Sequence, residues 1–265
     1  MRNLFLRLLA RNRGFVLACA WVLGLFQFLM CALVSELDLE NVLAQVLAFV
    51  PPVMQGALEQ VLLGGSAHGV LAFGWDHPIA HALLAAVAIA LAARAVAGEI
   101  ESGVLELVLA QPLRRAGYLA TQVAFALAAL TFVVAAGGLG TVLGQRVFDV
   151  PAFGAGRLLP LLLDLLLLQT SLYALTLLAS AWGREAGRVA VIGVLLAVVS
   201  YFISVIAGFW PRAAFLEPWS LHGWYEPRAI LVGGEVGMTA YLVLAAVTAG
   251  ATSLSFWRFL RRDLP

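Results

Sequence analysis

The chain has 265 residues, 63% of them hydrophobic and only 12% charged, and a net charge of +1. A soluble domain carries about 25% charged residues, so this composition excludes an ordinary water-soluble globule and points to a chain solvated mostly by lipid. The small net charge supplies no global field for nucleic acid. The two cysteines, Cys19 and Cys31, share one apolar run, roughly 18 Å apart along a helix, and cannot pair within it.

The start, MRNLFLRLLARNRGF, is basic and leads into an apolar run from Phe15 to Val34. A signal peptide begins this way, but the run is long enough to span a bilayer and no A-x-A-type site follows. It reads as a retained first helix. Apolar runs at 15–35, 79–97, 117–143, 158–182, 187–209 and 237–258 each reach the roughly 20 residues that a spanning helix needs. The sequence therefore predicts an all-α membrane protein with six transmembrane helices, and 1–265 as a single membrane domain without a soluble module or a convincing internal repeat. All 16 basic residues are Arg. Twelve fall in the N-terminal arm, between spans two and three, between spans four and five, and at the C-terminus, while four fall on the other side. By the positive-inside rule both termini are cytoplasmic.

The outer segment 36–78 is more than a loop. SELD at 35–38 resembles a capping box, and apolar residues recur with helical period from Leu39 to Val50, where Pro51-Pro52 ends the pattern. A second short helix is expected over about 53–63, before Gly64-Gly65. Both read as amphipathic helices at the outer interface. The outer segment 210–236 carries Trp210, Trp219, Trp224 and Tyr225, residues suited to headgroup level, and its three prolines argue against one continuous helix. In the third span Gly140 and Gly144 form a G-x-x-x-G that reads as close helix packing.

The stretch GEIESGVLELVLAQPLRRAGY, 98–118, places three glutamates and two arginines between two apolar runs on the cytoplasmic side. At 100° per residue Glu99, Ser102, Gly103, Glu106 and Ala110 share one face, and Ile100, Val104, Leu107 and Val108 the opposite one. A short amphipathic helix over 99–112 is expected, ended by Pro112. Lipid-binding interfacial helices usually carry a basic face; this one is acidic, which suits water or a basic protein partner. Periodicity alone leaves both open.

The residues Glu99 to Arg115, E-x-E-S-G-V-L-E-L-V-L-A-Q-P-L-R-R, resemble the segment between the second and third helices of type-two ABC transporter permeases. Val104 stands where that family often has Thr, and Arg114 where it often has a small residue. His77-Pro78 before the second span, EPWSLHGWYEP at 217–227 and the tail FWRFLRRDLP agree with the same family. The resemblance implies that 99–112 is a coupling helix held in a groove of a separate cytoplasmic ABC ATPase dimer, with Glu99, Glu101, Ser102, Gly103, Leu105 and Glu106 as contacts. It also implies a second permease copy, identical or homologous, an export pathway across a bacterial inner membrane, and an elbow segment at 1–14 on the inner leaflet. No GxxxxGK[ST] occurs, so this chain binds no ATP by a P-loop; ATP and Mg belong to the partner, and no cofactor or catalytic residue is assigned here.

Asp164 is the one acid well inside a predicted span, roughly 9 Å deep, and is a site candidate that also has a bland reading, pairing with Arg157. Gln169, Tyr173, Thr176 and Ser180 fall on one face of the same helix, either as a polar path or as helix–helix hydrogen bonding. Gln27 and Gln122 are lone amides with the same two readings. His68, His77, His81 and His222 all lie toward the outer side without metal-ligand spacing. The competing functions are a secondary transporter and a membrane-embedded enzyme; neither gives the acidic cytoplasmic segment a task.

Overall fold

The computed structural model describes residues 2–36, 45, 47–51, 67–105, 114–232 and 237–262. Among them there is no strand, and six helices are long and apolar enough to cross a membrane. In chain order the helices are α1 (Arg2–Glu36), α2 (Ala67–Asp76), α3 (Pro78–Ala93), α4 (Arg115–Val147), α5 (Ala155–Trp182), α6 (Ala186–Phe209), α7 (Pro227–Val232) and α8 (Met238–Leu260). The expected spans match α1, α3, α4, α5, α6 and α8 closely, because each is a long apolar run with polar or proline-containing flanks. The outer helices expected between 36 and 63 lie almost wholly outside the described residues.

Three features were not expected. The segment expected as a separate elbow, 1–14, is not set off by a break: α1 runs unbroken for 35 residues. It contains no proline, and Gly14 is tolerated inside it, so nothing interrupts the hydrogen-bond ladder. At 1.5 Å per residue it is about 52 Å long, longer than the hydrocarbon core, and projects beyond it. The second feature is α2, whose Leu71, Ala72 and Trp75 are buried against the bundle. It joins α3 across His77, whose side chain accepts a hydrogen bond from the Ile79 N–H at 3.2 Å. Pro78 occupies the first helical position, where a missing N–H does no harm. The third is a π-helical segment at Arg94–Gly98, followed by one further α-turn, Glu99–Glu101.

The core is set by close backbone approach. α1 packs most extensively on α4. At their crossing a Cβ added to Gly140 would collide with the Gly24 carbonyl oxygen, and one added to Gly144 would lie 2.7 Å from Cys31 Cβ. The G-x-x-x-G is therefore a packing device, as expected. Cys19 and Cys31 are buried free thiols. α5 lies centrally, in contact with α3, α4, α6 and α8. Its Ser171 hydroxyl bonds the Leu244 carbonyl at 2.9 Å and Thr248 at 3.0 Å, tying it to α8. Between α6 and α7 the chain turns through two 3-10 segments, Pro211–Trp219 and His222–Trp224, as the prolines require.

Candidate functional site: the junction after the second span

The region around Glu99 is built from the end of α3 upward. A π-turn leaves backbone groups out of the normal ladder, and in a lipid-solvated protein each must find a partner inside the chain. Ser180 of α5 supplies most of them. Its hydroxyl accepts from the Val96 N–H at 3.3 Å and the Ala97 N–H at 3.0 Å, and donates to the Ala93 carbonyl at 3.2 Å. Tyr118 of α4 donates to the Ala95 carbonyl at 2.7 Å, and Gln122 donates to the Tyr118 oxygen at 2.8 Å. Ser180 is fully buried and Tyr118 nearly so. The irregular turn is thus clamped from two neighbouring helices.

Beyond the clamp, Glu99 is 4% exposed and pairs with Arg11 of α1. Glu101 is exposed, and its carboxylate accepts from the Ala186 N–H at 2.8 Å, where it satisfies one orphan donor at the start of α6. The Ser102 hydroxyl donates back to the Gly98 carbonyl at 2.8 Å. Gly103 has φ +67°, a left-handed conformation that glycine adopts without a steric penalty and that ends the helix there. Leu105 is buried. Glu106 lies outside the described residues, as does the rest of the expected helix through 112.

Two expectations are corrected here. The helix expected to run unbroken from Glu99 through 112 is interrupted, because Gly103 ends its first turn. Glu99 also turns inward to Arg11, so of the acidic contacts expected in this stretch Glu101, with Ser102 and Gly103, forms the exposed part. Other charge at this end is met by side chains, with Arg188 paired to Glu185 at 2.8 Å, and by backbone. Arg262 donates to the Ala181 and Gly183 carbonyls, both at 2.8 Å, capping the end of α5, and Arg115 donates to the Arg262 carbonyl at 2.8 Å. Burial, helped by the nearby charges of Arg258 and Arg184, pulls the Arg262 pKa down from its ordinary value. These contacts bring the first half of α1, the starts of α4 and α6, and the ends of α3, α5 and α8 to one end of the bundle.

The residues expected along a path lie in the interior of the chain. Gln169, Tyr173 and Thr176 are each at most 2% exposed. Thr176 bonds its own helix at the Leu172 carbonyl, at 2.8 Å. Gln169 Oε1 and the Tyr173 hydroxyl have no hydrogen-bond partner among the described residues. Asp164 is 1% exposed and does not pair with Arg157: it accepts from the Glu226 N–H at 3.2 Å, while Arg157 donates to the Leu231 carbonyl at 3.1 Å. The lone amides are structural, since Gln27 donates to the Gly74 carbonyl at 3.2 Å and Gln122 to Tyr118.

At the opposite end of the bundle His81, His222, Tyr201 and Tyr225 form an aromatic cluster, with the two imidazoles 4.9 Å apart. Ser200 and His222 Nδ1 lie 2.8 Å apart, and the Tyr225 hydroxyl donates to the Trp75 carbonyl at 3.3 Å. Burial, reinforced by His81, pushes the His222 pKa well below the ordinary histidine value, and burial raises that of Tyr225. Among the described residues no group of three or more His, Cys, Asp or Glu is arranged to hold a metal ion.

No curated protein and no solved structure matches the chain. One family model does, described as an ABC-2 family transporter protein, over residues 10–264, which takes in the clamp, the Gly103 break and, apart from the first eight residues of α1, all six spanning helices. On that match the chain belongs to the ABC-2 family of transporters and is a multi-pass membrane component of the type-two ABC permease kind.

Proposed function

We propose that this chain is the export-side membrane subunit of an ABC transporter, driven by a separate cytoplasmic ATPase dimer and working beside a second permease copy. ABC-2 membrane proteins in general work with ATPase partners. The sequence has no Lys and no P-loop, so ATP and Mg are bound by the partner, and this chain carries out no chemistry of its own. Its twelve-to-four arginine distribution supports an orientation with both termini cytoplasmic, and the family implies a bacterial inner membrane.

The observation that carries the reading is the construction of the junction. Its exposed tip, Glu101 to Gly103, is joined within a few residues to four other helices: α1 through Arg11–Glu99, α6 through Glu101–Ala186, α5 through Ser180 and α4 through Tyr118. A push on the tip is transmitted to most of the bundle, because well-packed, hydrogen-bonded elements move together. That is the property a coupling segment needs. Glu101, Ser102 and Gly103, continued by Glu106, form the proposed ATPase contact, with Glu99 and the buried Leu105 as internal anchors rather than contacts. Asp164, Gln169, Tyr173 and Thr176 remain the proposed polar lining that a change of packing around α5 would open.

The test is purification of the tagged chain from its native host in mild detergent, with identification of stoichiometric partners. A P-loop ATPase is expected with the wild type and lost from a Glu101→Arg/Ser102→Arg variant that keeps its melting temperature. Absence of any ATPase from the wild type sinks the reading and leaves an ion-gradient transporter as the alternative to examine.

A further inference from the structure

The crossing of α1 and α4 leaves an open groove along one side of the pair. Its floor is made of small residues at i, i+4 spacing, Ala20 and Gly24 on α1 and Ala136 and Gly140 on α4, the same spacing that lets the two backbones meet. Larger side chains wall it: Leu17 and Trp21 of α1 and Leu139 and Leu143 of α4 are between 54% and 70% exposed. The hollow there is about 380 Å3. A second hollow, about 220 Å3, continues it toward the start of α1 and shares Leu17 and Phe132 with it. Arg13 lines this second hollow and is the single ionisable side chain among the described residues that line either one.

The dimensions and the charge restrict the occupant. From Arg13 to Phe28, at the far end of the groove, α1 rises about 22 Å. That exceeds the roughly 15 Å hydrocarbon depth of one leaflet, so a whole acyl chain has room. Arg13 lies about 3 Å along α1 from Arg11, which pairs with Glu99 at the end of α3. Its guanidinium is thus at the end of the bundle that carries the chain termini, and a long side chain reaches headgroup level from there. Arg11 has its carboxylate in Glu99, whereas Arg13 is exposed and has no ion pair or hydrogen bond among the described residues. A free guanidinium above an apolar groove matches a phosphodiester head joined to acyl chains, because its planar fork binds phosphate through two parallel bonds. No carboxylate lines the groove to receive the ammonium of a zwitterionic head. A second copy of the chain fits less well. In a two-fold interface the same surface meets itself, so Arg13 would face its own copy across an apolar contact without an acid.

We infer that the α1–α4 groove binds one anionic phospholipid from the leaflet on the side of the chain termini. Its phosphate lies at Arg13 and one acyl chain along the floor of Ala20, Gly24, Ala136 and Gly140. The site needs no ATPase partner, so it stands or falls separately from the coupling reading.

The full chain, with whatever co-purifies, is placed in nanodiscs of equal phosphatidylglycerol and phosphatidylethanolamine, released, and weighed by native mass spectrometry. The wild type is expected to retain one lipid per chain, enriched at least about 10-fold in phosphatidylglycerol. Arg13→Gln is expected to lower that preference about 5-fold or more, the worth of one arginine at an anionic surface. Arg261→Gln, at an exposed arginine of the same end that lines neither hollow, is expected to leave it within about 2-fold. Ala128→Leu/Ala136→Leu, one residue in each hollow, fills the groove and is expected to lose the lipid about 10-fold. Retained lipid that mirrors the bilayer composition overturns the proposal. So does an unchanged preference in Arg13→Gln, or an equal drop in Arg261→Gln, which would mean that the basic end as a whole selects the lipid. These two arginine variants decide the matter even if the leucine variant fails to fold. If the leucine variant splits a dimer without changing the bound lipid, the groove holds a second copy of the chain and the proposal is wrong.

Discussion

α5 and α6 are consecutive, similar in length and both apolar enough to span a membrane, yet 67% of the apolar window of α5 is buried inside the chain against 17% for α6. The difference follows polarity. α5 carries Asp164, Gln169, Thr170, Ser171, Tyr173, Thr176 and Ser180, and all are buried. α6 is mostly Val, Leu, Ile and Ala, and its large side chains, from Val191 to Phe209, are largely exposed. In water the more apolar helix would be the inner one. In lipid the order reverses, because hydrocarbon solvates Val and Leu as well as a protein core does but offers nothing to a hydroxyl or a carboxylate. The helix with the polar groups therefore becomes the hub, and its hydroxyls hold the irregular backbone next to the junction.

The sharpest way to break this comparison is at Gly193, on the buried stripe where α6 meets the hub. A Cβ on Gly193 would lie 2.9 Å from Thr176 Oγ1 and 3.0 Å from Ile89, whereas Gly208 has nothing within 4 Å. Gly193→Leu is expected to destabilise by about 3 kcal/mol through overpacking, and Gly208→Leu by less than about 0.5 kcal/mol, compared by thermal unfolding in detergent. Equal effects would remove the distinction between the inner stripe and the lipid face. Next in size, Ser180→Ala removes two hydrogen bonds from the π-segment and one to Ala93 just before it, and is expected to cost about 1–2 kcal/mol. Amide exchange should rise at 94–98 in that variant and stay unchanged in Ser255→Ala, whose hydroxyl bonds only its own helix, at Ala251.

A smaller effect is expected with pH. His222 is held neutral by burial and by His81, so its folded pKa lies below the unfolded value. The unfolded chain then binds more protons below about pH 6.5, and stability is full above that pH and falls as pH drops beneath it. The melting temperature should decline below about pH 6.5, and less steeply in His222→Asn; identical profiles would show that another group titrates. The smallest effect belongs to the lipid face. Val191→Ala and Leu195→Ala should each stay within about 0.5 kcal/mol of the wild type. A larger loss would mean that α6 is covered by protein rather than lipid.

Much of the fold was legible because bilayer thickness is a strict ruler. Apolar runs near 20 residues gave spans that differ from the helices by a few residues, except at the start of α1, which begins 13 residues earlier than the expected span, and the glycines at 140 and 144 announced a close crossing. The candidate site was only half legible. The acidic stretch after the second span stands out in sequence, and a helical wheel treats Glu99 and Glu106 as equals. The wheel assumes one uninterrupted helix, which Gly103 ends, and it has no knowledge of Arg11, 88 residues away in the chain. The π-segment had no local signal, since RAVAG has nothing that forbids a regular α-helix; the partners that hold it open, Ser180 and Tyr118, come from two other helices.

By itself the sequence determined that this protein lives in a membrane, crosses it six times, gathers most of its arginines at one end and places a charged stretch after its second span. Those properties depend on hydropathy, length and charge, which are sums over local residues. Tertiary structure alone decided which helix became the hub, which glutamate turned inward and which stayed exposed, and where the crossing of α1 and α4 left a groove. Those outcomes depend on which backbone and side-chain groups meet across distances of many tens of residues, where the backbone groups freed at the π-segment find partners that no local pattern names.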